Sequence, residues 1–153
     1  LWQNNRNTLS TKKVLELGCG LGLPSLLCAR LGAVVTAMDN HRNFEWVLQQ
    51  NLVANQVQCT TAVGSFADKD LKLGGFDWII GSDILYEPDN YPGLERFILD
   101  HANPGARILV ADPGRYAAGK FGESLKTKGR FQKLAYTIPS VQVIDLYSFQ
   151  ISQ

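Results

Sequence analysis

No apolar run in this chain approaches the roughly 20 residues that a membrane-crossing helix requires, and its first residues lack a secretory pattern. Charge of one sign is also missing. Fifteen basic and fourteen acidic side chains leave a formal net charge of +1, which makes no case for a generic binder of nucleic acid or acidic membrane. Histidine is scarce: His41 and His101 stand apart with no carboxylate partner in the pattern. The three cysteines, Cys19, Cys28 and Cys59, are odd in number and lack metal-ligand spacing. No metal is expected, and the cysteines read as free thiols of a reducing, cytoplasmic setting. Repeats, low-complexity tracts and linkers are absent as well. What remains is a chain of 153 residues, 45% hydrophobic and 19% charged, which suits a single domain with a substantial core. It starts at Leu1 rather than Met, and residues 1–11 are polar apart from Leu1, Trp2 and Leu9. They read as the tail of a helix lost upstream, so the domain is expected to lack an N-terminal helical segment.

The stretch KVLELGCGLGLPSL organises what is there. Val14 to Leu17 reads as a buried strand that runs into a bend at Gly18, Gly20 and Gly22, and Pro24 opens a helix that Gly32 stops. Glycine lets a ligand approach the backbone, and a helix start offers unpaired N–H groups. Ala33 to Met38 reads as a second strand ended by Asp39-Asn40, with Asn40 as N-cap of a helix carrying Phe44, Val47, Leu48 and Leu52. Val57–Val63, Phe76–Gly81 and Arg107–Ala111 read as further strands. Leu94, Phe97 and Ile98 suggest a helix that Asn103-Pro104-Gly105 ends, and residues 117–128 suggest another. The chain then closes with strands over 131–138 and 141–151, too close together for a helical crossover.

Alternating strands and helices followed by a hairpin give an α/β fold. The expected architecture is a doubly wound, mostly parallel, seven-stranded sheet with an antiparallel terminal hairpin. Ligands of such sheets bind beyond the carboxyl ends of the strands. That points to five loops: Gly18–Gly22, Asp39, Gly64–Phe66, Ser82–Tyr86 and Asp112–Arg115.

The turn departs from a dinucleotide site, which wants a third glycine where Leu23 stands. Glu16, just before the turn, repels a pyrophosphate but suits a cationic ligand or its nearby donors. Asp39 ends the second strand, where an acceptor-only carboxylate can take two vicinal ribose hydroxyls. On these residues, ELGCGLG with Asp39 beyond, the sequence resembles the class I S-adenosylmethionine-dependent methyltransferases, with their Rossmann-like sheet. GSDILYEP resembles the D-x-x-Y/F motif of the family-16 protein methyltransferases, with Asp83 and Tyr86 at the motif positions. VADPGR (Val110–Arg115) is similar to the electron transfer flavoprotein beta-subunit lysine methyltransferases and their bacterial relatives.

The resemblance implies cofactor contacts from Glu16, Gly18, Cys19, Gly20, Gly22, Asp39, Asn40, Ser65, Phe66 and Ser82. Phe66 stands where the group usually has tryptophan, and Trp2 is the candidate for an aromatic ahead of the first strand. Asp83 and Tyr86 are the implied catalytic pair, Asp83 holding a lysine amine and Tyr86 walling its channel. The implied reaction methylates a protein lysine and releases S-adenosylhomocysteine, with the enzyme acting as a monomer. A small-molecule amine, RNA, or a non-catalytic cofactor- or partner-binding role stay open. Nucleic acid is disfavoured, because the lysines from Lys120 to Lys133 read as a solvated face. Asp112 and Arg115 read either as a substrate clamp or as an ion pair stiffening the Pro-Gly turn.

Overall fold

A computed structural model of the chain describes residues 6–137 and 143–152. Trp2 and the link between the last two strands lie outside them. The elements are α1 (Arg6–Leu9), β1 (Lys13–Leu17), α2 (Leu23–Arg30), β2 (Val34–Asp39), α3 (Phe44–Asn55), β3 (Thr60–Val63) and β4 (Phe76–Ser82). A 3-10 turn (Pro88–Asn90) leads into α4 (Tyr91–His101), β5 (Ala102–Asp112), α5 (Ala118–Leu125), β6 (Gly129–Thr137) and β7 (Val143–Ile151).

The seven strands form one sheet in the order β3-β2-β1-β4-β5-β7-β6. β1 pairs in parallel with β2 and β4, β2 with β3, and β4 with β5, whereas β7 runs antiparallel to both β5 and β6. The expected parallel sheet and terminal antiparallel pair are both present. Period-two alternation distributes β1 between the two faces. Leu15 and Leu17 enter the large core cluster with Phe97 and Ile98 of α4 and Phe121 of α5. Val14 faces the other way and packs with Leu9 and with Cys28 of α2. Leu48 and Leu52 of α3 close over Ala37 and Leu26 on a further cluster.

Several boundaries differ from the sequence reading, three of them with a local cause. Asn40 does not cap α3: the helix begins at Phe44, preceded by Asn43, which makes no side-chain cap bond. The third strand begins at Thr60 rather than Val57, because Gln56 adopts a left-handed cap conformation and the Val57 N–H returns to the Leu52 carbonyl. Asn103-Pro104-Gly105 lies within β5. The β4–β5 register shifts between Phe76 and Trp78, and the Asn103 amide donates to Asp77 Oδ1 at 3.2 Å, so these residues form a bulge rather than a helix stop.

Candidate functional site

The glycine turn is built by backbone geometry that other residues resist. Gly18 has φ +62°, and a Cβ there would lie 2.7 Å from Ile84 Cγ2. Gly22 has φ +74°, and its Cβ would lie 2.2 Å from Leu48 Cδ1. Beneath the turn, Glu16 is 2% exposed and takes both the Ser25 backbone N–H (2.8 Å) and the Ser25 hydroxyl. Its carboxylate thus satisfies a free N–H at the start of α2. Desolvation pushes the Glu16 pKa up to about 7, against the pull of the two Ser25 hydrogen bonds, and nearby Asp39 adds to the rise.

Asp39 holds the next loop. Its Oδ2 accepts the Gly20 N–H and its Oδ1 the His41 N–H, both at 2.9 Å. One carboxylate therefore ties the glycine turn to the end of β2. Each oxygen keeps acceptor capacity for a further donor, as a pair of ribose hydroxyls requires. Cys19 is buried, its N–H given to the Met38 carbonyl, and burial first, then the Glu16 and Asp39 charges, push its thiol far above neutrality. It packs; it is no nucleophile.

One cleft gathers most of the expected residues along the carboxyl rim. Gly18, Asp39, Asn40, Ser65 and Phe66 line one part of it, and Ser82, Asp83 and Tyr86 another. Glu16, Cys19, Gly20 and Gly22 do not line it; they shape the turn from behind. Phe66 is half-buried, its ring centroid 6.1 Å from that of Phe97, so a flat apolar face is braced inside the cleft. Gly64 and Ile84, from the loops expected at this rim, also line it, as do Glu87 and Asn90. The donor set, with two carboxylates, a braced aromatic and a bare-backbone turn, fits S-adenosylmethionine, whose ribose, adenine and amino-acid end need those partners.

Asp83 adopts a left-handed backbone conformation (φ +61°), and its N–H bonds the Ala111 carbonyl at 2.8 Å, so β5 fixes the loop leaving β4. Arg115 Nη2 lies 2.5 Å from Asp83 Oδ1, and Arg115 Nη1 lies 2.8 Å from Asp112 Oδ2. The Asp112 side chain is fully buried and also accepts the N–H groups of Gly114 (2.9 Å) and Arg115 (2.7 Å). The ion pair across the Pro-Gly turn is therefore present, and it extends to Asp83, which spacing alone did not indicate. Tyr86 stands exposed on the rim.

His101 is a core residue. Its Nδ1 bonds the Phe97 carbonyl, and its Nε2 accepts the Leu73 N–H. Among the described residues no cluster of metal-ligating side chains occurs, and no helix is long and apolar enough to cross a membrane.

A sequence model of the lysine methyltransferase family (methyltransferase family 16) matches residues 2–127. The chain is 33% identical over 133 residues to the histidine protein methyltransferase 1 homolog of Dictyostelium discoideum, covering 80% of this chain and 43% of that protein. It is 31% identical to the protein N-lysine methyltransferase METTL21A of Danio rerio, covering 67% of this chain and 49% of that protein. It is 35% identical to the histone-arginine methyltransferase METTL23 of Rattus norvegicus, covering 61% and 44%. The chain thus spans less than half the length of each of these relatives. The fold matches a methyltransferase from Pyrococcus furiosus (TM-score 0.77, 18% identity, 94% of this chain and 77% of that one). It also matches the N-methyltransferase NodS of Bradyrhizobium japonicum in complex with S-adenosyl-l-homocysteine (TM-score 0.77, 14% identity, 99% and 87%).

Proposed function

The chain belongs to the lysine methyltransferase family, and from that premise we propose that it transfers a methyl group from S-adenosylmethionine to a lysine side-chain amine of a protein. The observation that carries the reading is the cleft itself. Asp39, suited to a ribose, and Asp83, suited to an amine, line the same cavity with Phe66. A monomer in a reducing, cytoplasmic setting is part of the proposal, and the three free thiols accord with it.

S-adenosylmethionine, when bound, supplies a methyl group on a sulfonium, open to in-line displacement by a neutral nitrogen. Asp39 would take the ribose hydroxyls, and Phe66 would lie against the adenine. Asp83 would accept an N–H of the amine and aim the nitrogen lone pair, with Tyr86 walling the approach. A lysine amine is mostly protonated at neutral pH, so its ammonium proton leaves to water before the transfer. Bound there, the cofactor would give its methyl group to that nitrogen and depart as a neutral thioether, leaving a methylated ammonium. Placement of the nitrogen supplies most of what this displacement needs from the protein.

The test is incubation with labelled S-adenosylmethionine and a cell extract, followed by hydrolysis of the labelled protein. Methyl-lysine is the expected product. Label confined to methyl-histidine, methyl-arginine, RNA or small amines would replace the lysine assignment with the acceptor found.

A further inference from the structure

The Asp83 carboxylate already has a cationic partner. Arg115 reaches it from the loop after β5 while Asp112, buried beside it, holds the other arm of the guanidinium. Three hydrogen bonds to Asp112 fix this loop, so Arg115 is a braced fork rather than a free side chain. Asp83 Oδ2 receives no hydrogen bond from a described residue, and Asp83 lines the cleft.

We propose that Arg115 is a positioning residue that selects the protonation state of the acceptor: it occupies one oxygen of Asp83 and leaves the other for a neutral amine. This rests on the lysine reading above and deepens it. A bare carboxylate would bind lysine as its ammonium and hold the proton that must leave before transfer. With a guanidinium on the same carboxylate, a second positive charge would sit only about 5 Å away, which lowers the proton affinity of the bound amine by about one pH unit. Asp83 still accepts an N–H, but its charge is already balanced. The arrangement gives up affinity for the ammonium in exchange for more of the reactive form.

The surrounding groups leave Arg115 in that role. Asp112 on β5 is its second partner, and Tyr91 of α4 senses both charges. Glu87 and Tyr86 share the cleft, with Asp39 across it on β2. Beyond Asp112, its register partner Asp145 on β7 is paired with Lys133 of β6, whose ammonium lies over the Tyr147 ring. Among the described residues the cation bonded to Asp83 is Arg115.

The test uses the lysine peptide that carries label in the extract experiment, supplied over a range of concentrations up to saturation to the full chain and to Arg115→Gln and Arg115→Lys. In Arg115→Gln, KM should fall, because the uncovered carboxylate binds the ammonium more tightly. The acid limb of the kcat–pH profile should move up by about one unit, giving a loss of about tenfold at neutral pH that closes only above about pH 10.5. Arg115→Lys should keep the limb near its wild-type position. Calorimetric binding of S-adenosylmethionine should be unchanged in both variants. A deficit equal at every pH, an unmoved limb, or no recovery at high pH would overturn the role. A wild-type chain that labels no lysine would instead remove the lysine reading on which the role rests.

Discussion

Glu16 carries a charge where water is excluded, and at the scale of single residues that has a measurable consequence. Its pKa in the folded chain, about 7, lies above the ordinary value of 4.5, so the folded state holds a proton that the unfolded state releases. The stability this contributes is complete below pH 4.5 and is lost as pH rises toward and through 7. Glu16→Gln, which keeps an acceptor for Ser25, should therefore stabilise the protein at pH 8 by about 3 kcal/mol. The gain should vanish near pH 4.5. Denaturant midpoints of the two proteins at both pH values measure it, and an equal gain at both would show that packing, not charge, is responsible.

Single residues were also unevenly legible. Asp39 and Asp83 could be read because each stands at a strand end beside a recognisable motif. Glu16 was read as a neighbour of the ligand, and the structure places it beneath the turn, bonded to Ser25. Arg115 lies on a different loop from Asp83, and only the side-by-side pairing of β4 and β5 brings the two together.

Among the elements, the glycine turn and the Asp83 loop are one unit. Ile84 packs where side chains on both Gly18 and Gly81 would stand, its methyl groups 2.7 and 2.5 Å from the positions their Cβ atoms would take. A change in the turn is thus transmitted to the residue next to Asp83. Gly18→Ala combines an unfavourable φ with this clash. It should weaken S-adenosylmethionine binding at least tenfold and lower transfer further. Gly20→Ala meets nothing within 4 Å and carries only the strain of its φ of +50°, so it should cost about one-third as much in log affinity. Calorimetric titration of the two variants checks the order, and equal losses would mean that Ile84 does not couple the loops. The sequence displayed the turn plainly because glycine at alternate positions has few other uses. It misplaced the start of β5 because Pro-Gly punctuates a turn and a β-bulge alike.

For the whole molecule, parallel pairing is what makes a site from scattered motifs. β1, β2, β4 and β5 all run the same way, so the loops bearing Gly18, Asp39, Asp83 and Arg115 meet on one rim. Alternation of strand and helix was enough to anticipate that rim. The order of the strands was not legible, because it depends on which edges meet in space. In the proposed function the rim divides the work: Asp39, Phe66 and the glycine turn for the cofactor, Asp83 with Arg115 and Tyr86 for the acceptor. That division is the central claim, and the methyl-transfer rate of Asp83→Ala, measured beside its affinity for S-adenosylmethionine, tests it most directly. The account predicts affinity within about threefold of wild type and transfer to lysine reduced by on the order of a hundredfold or more. Full turnover by Asp83→Ala would contradict it.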